Sequence, residues 1–189
     1  MRLRQYVERM QTECDLLGNP QLMRKAIKVD GTKGLKYYLT QDSLKSCDYL
    51  KLQKKHMIFI EFSDLNQQFI DLSQKEQQRD NALYSASVPF YSKKMFPKSI
   101  DIIHDEINQK ISETLVLMTI MEQKFNLSNN VHRTKNFIMG ICSAHPRDVQ
   151  IFDSISRKIM TKYQHILNRV VFLPYEELDT FIITKQGPL

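Results

Sequence analysis

Two acids stand inside otherwise apolar sequence. Asp48 lies in Ser46-Cys47-Asp48-Tyr49-Leu50, and Glu61 in Phe59-Ile60-Glu61-Phe62-Ser63-Asp64. Burying a carboxylate without a partner is costly, and a purely structural strand more readily takes Val or Thr at such a place. On paired neighbouring strands the two acids would repel each other and ask for a cation between them. Mg²⁺ or Mn²⁺ suits hard oxygen ligands of this kind, keeps several waters and bridges to phosphate. A metal so placed activates water and stabilises the leaving oxygen of a phosphodiester. Plainer roles compete: Asp48 capping a turn or pairing with Lys33 or Lys36, Glu61 pairing with a lysine at a strand end, and Asp64 capping a helix.

Other chemistries find little support. The five histidines, His56, His104, His132, His145 and His165, show no HxH or HExxH spacing, which disfavours zinc. No GxxxxGK[ST], GxGxxG or GxSxG occurs, which disfavours a P-loop, a dinucleotide site or a nucleophile elbow. His145-Pro146-Arg147-Asp148 reads as a helix start, with Asp148 favourable to the helix dipole. Cys14, Cys47 and Cys142 are widely spaced and form no CxxC, so neither a disulfide framework nor a zinc knuckle is expected.

The elements that must position the acids follow from the pattern. Leu3, Tyr6, Val7, Met10 and Cys14 recur at helical spacing and predict a helix over 3–16, stopped by Gly18-Asn19-Pro20. Asn19 and Pro20 can open a second short helix, and Asp30-Gly31 and Gly34 mark turns. Three strands are expected next, over 35–40, 46–53 and 56–63, the last two joined by a tight hairpin at Lys54-Lys55. The strand at 56–63 is apolar on both faces, so it is expected to be central and covered on both sides. Helices are predicted from Asp64 to about 79, from 99 to 125 and from 146 to about 167. Loops are predicted over 80–98 and 126–133, and strands over 137–142 and 170–173. A hairpin followed by β-α-β is an α/β pattern and implies a mixed central sheet of about four to five strands flanked by helices on both faces.

The order of elements, with Asp on the second strand and Glu on the third, resembles the PD-(D/E)xK nuclease superfamily. The local text Cys47-Asp48-Tyr49-Leu50, then Phe59-Ile60-Glu61-Phe62, is similar to segments of small bacterial members. The likeness covers residues 3–80 well, and the rest in order of elements alone. It implies a restriction-endonuclease-like core in a single domain over 1–189, with core segments 3–80 and 134–174 and a long helical insertion at about 99–125. It also implies that Asp48 and Glu61 are metal ligands, joined by a glutamate of the first helix, Glu8 or Glu13. The family's lysine would fall where Ser63 stands, and serine has neither its charge nor its reach. Some members carry Glu or Gln there. Lys36 on the first strand is one substitute cation. Lys54 and Lys55 lie at the far end of the hairpin, and Lys75 too far along the next helix. Gln67 and Gln68, in that helix's first turn, would contact a water or a phosphate.

Composition sets the frame. The chain has 189 residues, of which 42% are hydrophobic, enough to bury a core and to argue against wholesale disorder. A formal net charge of +6 favours acidic partners such as nucleic acid, though a solvated basic surface explains it equally well. The charged N-terminus with no apolar segment behind it argues against a secretory signal, and no apolar run is long enough to span a bilayer, so a reducing cytoplasm and no membrane partner are expected. Three functions are consistent with these readings. The first is a Mg²⁺- or Mn²⁺-dependent endonuclease or nuclease subunit acting on DNA rather than RNA, with Asp48, Glu61, Ser63 and Gln67 at its site. The resemblance places it in a multi-subunit antiphage defence complex. The second is a catalytically degenerate subunit for nucleic-acid binding or assembly, docking through the helix at 99–125 onto a protein partner or a second copy. The third is a scaffold with no nucleic-acid role.

Overall fold

The computed structural model describes residues 3–12, 21–85, 98–125, 133–141 and 149–184. Six strands form one sheet in sequential order: β1 (Val7–Gln11), β2 (Gln21–Lys28), β3 (Tyr49–Leu52), β4 (His56–Ser63), β5 (Thr134–Ile141) and β6 (Leu167–Pro174). The pairings β1–β2, β2–β3 and β3–β4 are antiparallel, and β4–β5 and β5–β6 are parallel. The helices are α1 (Leu35–Tyr38), α2 (Leu65–Ser85), α3 (Ser99–Phe125), α4 (Val149–Tyr163) and α5 (Leu178–Thr184). This is the expected mixed sheet flanked by helices, with six strands instead of four or five.

The extra strands come from the amino-terminal third. The helix expected over 3–16 is instead a 3-10 turn at Leu3–Tyr6 followed by β1. Of β1 only Met10 is buried, while Leu3 and Tyr6 of the 3-10 turn pack against the main core, so the apolar spacing that suggested one helix comes from two short elements. The short helix expected to open at Asn19-Pro20 does not continue into the described residues: Gln21–Lys28 form strand β2 instead. Conversely, the strand expected over 35–40 is α1. Gly34 makes the turn before it: a Cβ there would lie 2.3 Å from the Asp30 carbonyl oxygen. The Lys36 N–H then donates to the Val29 carbonyl at 3.0 Å, which folds the segment back onto β2. Aromatic content suggested a strand, but tertiary packing decided otherwise.

From residue 49 onward, pattern and structure agree closely. The Gln53 N–H donates to the His56 carbonyl across Lys54-Lys55, closing the tight hairpin. Asp64 caps α2: its carboxylate accepts the Gln67 N–H at 3.1 Å. α2 runs to residue 85, past its expected end, and β6 begins three residues earlier than expected. Residues 86–97, 126–132, Cys142, the 145–148 segment, Glu13, Cys14 and the Asn19-Pro20 helix start lie outside the described residues.

β4 is central and covered on both faces, as its two apolar faces require. Met57, Phe59 and Ile60 are fully buried, each contributing about 1.5–3 kcal/mol through the apolar surface removed from water. The coverage is unequal. One face carries the main core, where α1, α2, α3 and α4 all pack. The other is covered by Tyr175 and by Leu178 and Phe181 of α5. Both parallel crossovers, β4 to β5 and β5 to β6, advance in the same direction across the sheet. Right-handed crossovers then place their helices on one face. Among the described residues, no helix is long and apolar enough to cross a membrane.

Candidate functional site

β3 and β4 pair with Tyr49 opposite Ile60 and Leu50 opposite Phe59. Asp48, expected within the strand over 46–53, is instead the residue just before β3; one step further along this register it falls opposite Glu61, on the side of the main core. The Asp48 carboxylate accepts the Phe62 N–H at 2.8 Å, while its carbonyl accepts the Val29 N–H at 2.8 Å. Asp48 therefore ties β2 to β4 and stays half-buried, whereas Glu61 is buried, with 1% exposure. The pair sits at the carboxyl end of β4, where the parallel part of the sheet ends, the usual place for a ligand in an α/β sheet.

The cation beside these acids is Lys110 of α3. Its Nζ forms an ion pair with Glu61 Oε1 and lies 4.0 Å from Glu106 Oε1. Glu106 in turn accepts a hydrogen bond from the Gln68 side chain of α2 at 2.6 Å. One turn beyond Lys110, the Thr114 hydroxyl donates to the Lys110 carbonyl at 2.6 Å and accepts the Cys47 N–H at 2.9 Å. A single turn of α3 thus fixes both the segment carrying Asp48 and the carboxylate of Glu61. The second carboxylate oxygen of Glu61, Oε2, is buried and accepts no hydrogen bond. Lys110 was not expected from the sequence. Its signal is its position in the buried stripe Ile103, Ile107, Ile111, Thr114, Leu117, Met118 and Met121, where a lysine needs a partner.

The electrostatics follow from burial. Desolvation pushes the Glu61 carboxyl well above the usual range; Asp48 and, more weakly, Asp30 push the same way, and Lys110 opposes them. For Lys110, burial acts downward, but Glu61, Asp48 and Glu106 outweigh it and raise its pKa, so the ammonium stays charged. The Cys47 thiol is raised by complete burial and by the two nearby carboxylates, against a lowering hydrogen bond to Thr114, and is not a thiolate.

The other expected site residues are placed as follows. Ser63 is on the Glu61 face, one strand repeat towards the carboxyl end, and half-buried. Gln67 is exposed, and its amide donates to Asp71 at 2.8 Å. Glu8 is not in a helix and not beside the pair. It lies opposite Ala26 on β1, on the other face of the sheet, where it pairs with Lys28 at 3.3 Å and accepts the Tyr49 hydroxyl at 3.1 Å. Glu8 therefore cannot join Asp48 and Glu61 around one ion. Lys36 belongs to α1 and is held by Asp30 at 2.5 Å and by the Leu44 carbonyl at 3.1 Å.

Among the described residues, no three of His, Cys, Asp and Glu gather as a metal-holding group. A two-carboxylate pair nevertheless suits Mg²⁺, which is commonly held by one or two carboxylates with water and phosphate completing its shell. The unpartnered Glu61 Oε2 is a donor with nothing else to bind. Compared with protein-family models, curated proteins and solved structures, the chain matches none of them.

Proposed function

We propose that Asp48, Glu61 and Lys110 form the site of a divalent-metal-dependent phosphodiester hydrolase acting on DNA. The supporting observation is that α3 supplies a lysine against Glu61, beside Asp48. The cation that Ser63 cannot provide is thereby present from another element. Asp48 and Glu61 would hold Mg²⁺ or Mn²⁺, which would supply an activated water and stabilise the leaving oxygen. Lys110 holds a fixed positive charge where negative charge grows on the phosphate, and the fold has already oriented it through the Glu61 ion pair. Ser63, at the end of β4, offers a hydroxyl to the same neighbourhood. Gln67 has its side chain committed to Asp71 and contributes less.

A second reading is favoured by the same ion pair. Lys110 already neutralises Glu61, so the three side chains also serve as a purely structural latch between α3 and the sheet. The chain would then be a degenerate nuclease-fold subunit that binds nucleic acid or joins an assembly, such as an antiphage defence complex.

Plasmid nicking with Mg²⁺ or Mn²⁺ separates the two. The hydrolase reading expects metal-dependent cutting by wild type, reduced at least a hundredfold in Glu61→Gln and Asp48→Asn, both checked for native folding. Absence of cutting by folded wild-type protein with either metal would leave the structural latch.

A further inference from the structure

At the opposite end of the sheet an open cavity of about 450 Å³ is lined by Arg133, Thr134, Lys135, Gln164, His165, Ile166, Leu167 and Asn168. It lies at the amino ends of β5 and β6. Lys135 is level with Met57 of β4, four residues from Glu61, or about 13 Å along the strand. It is therefore separate from the carboxylate pair, and its reading does not rest on that of the pair.

Its chemistry is one-sided. Arg133, Lys135 and His165 line it, and among the described residues no acidic one does. Among the described residues, neither Arg133 nor Lys135 pairs with a carboxylate. The guanidinium nitrogen Nη1 of Arg133 is out of solvent and donates no hydrogen bond. Arg133 as a whole is half-buried and lines the cavity, and a guanidinium offers several donors to an oxyanion. The neutral groups, Gln164, Asn168 and Thr134, can also donate, although the Gln164 amide already meets His165 and the Asn168 amide Asn136.

The backbone is adapted here too. The β5–β6 register pairs Lys135 with Leu167 but Asn136 with Arg169, so Asn168 is an extra residue in a β-bulge. Bulges of this kind re-aim side chains beside binding sites. The Asn168 amide donates to Asn136 Oδ1 at 3.3 Å, and Ile166, 47% exposed, gives the cavity an apolar lip. The volume lies in the range of small-ligand sites.

We infer that this cavity binds a phosphate group, with Arg133 and Lys135 as its charged ligands. The phosphate can belong to a free phosphorylated small molecule or to the backbone of a single strand. Calorimetric titration of the whole chain with inorganic pyrophosphate, and separately with a ten-residue oligothymidylate, tests this. Saturable binding of pyrophosphate identifies a free phosphate ligand. Binding of the oligonucleotide alone identifies a backbone.

In either arm, Arg133→Gln with Lys135→Gln is expected to weaken binding at least tenfold. A control pair, Lys158→Gln with Lys162→Gln on α4, removes the same charge elsewhere and is expected to change binding less than twofold. Circular dichroism establishes that both variants are folded. The inference is overturned if wild type binds neither probe saturably, or if the control pair weakens binding as much as the cavity pair.

Discussion

The two ends of β4 and β5 treat charge in opposite ways. At the carboxyl end, the fold supplies the partners: Lys110 for Glu61, the Phe62 N–H for Asp48, and Gln68 for Glu106. At the amino end, Arg133 and Lys135 line a cavity with no acid beside them among the described residues. The difference tracks solvent. Glu61 is 1% exposed, so its charge must be met by another side chain or by a proton. Arg133 and Lys135 are half-buried at a cavity that opens to water. A fully buried charge is thus woven into the fold, while a half-buried one at an open cavity remains available for binding.

The largest effect expected from this contrast is in stability. Lys110→Ala leaves Glu61 buried without its ammonium and is expected to cost about 3 kcal/mol, read as a lower urea midpoint at unchanged slope. The double variant Glu61→Gln with Lys110→Met removes both charges and is expected to recover most of that loss. Arg133→Gln with Lys135→Gln, by contrast, is expected to change stability by less than about 0.5 kcal/mol. Equal losses at the two ends would erase the distinction.

A smaller effect probes how the carboxyl end is held. A Cβ at Gly140 would lie 2.9 Å from the Phe62 ring, which is itself fixed by an edge contact to Tyr49 at 5.9 Å and by Tyr175 at 5.7 Å. Gly140→Ala must push this ring aside, against the contacts that fix it. A loss of about 2 kcal/mol is expected, whereas no measurable loss would mean that Phe62 is free to give way.

The smallest effect is a slope with pH. The folded-state pKa of Glu61 lies above its unfolded value, chiefly through burial. Its stabilising contribution is therefore full below the ordinary carboxylate range and is lost as pH rises through the raised folded value. Relative to Glu61→Gln, wild type is expected to lose stability as pH rises across that window, by at most about 1.4 kcal/mol per pH unit for one proton. Urea unfolding of both proteins at a series of pH values measures it. A difference that stays flat, or grows in favour of wild type, would show that Lys110 holds Glu61 ionised throughout.

Legibility in the sequence was uneven, for reasons that can be traced to particular residues. β4 could be read because Met57, Ile58, Phe59, Ile60 and Phe62 are apolar on both faces and interrupted by Glu61 alone, a pattern that a covered central strand explains. The helix at 99–125 could be read because its apolar stripe is long and regular. β1 and α1 were misread because each is short and their backbones follow contacts made elsewhere: pairing with β2 for one, the turn at Gly34 for the other.

By itself, then, the sequence showed two acids in apolar text on the two arms of one tight hairpin, an arrangement that can bring them together. It could not determine what meets them. Lys110 is 49 residues from Glu61, and Glu8, closer to Asp48 in sequence than Lys110 is, ends on the opposite face of the sheet. Which helix face covers which strand depends on the handedness of the crossovers and the packing of the core, and these are properties of the folded chain alone.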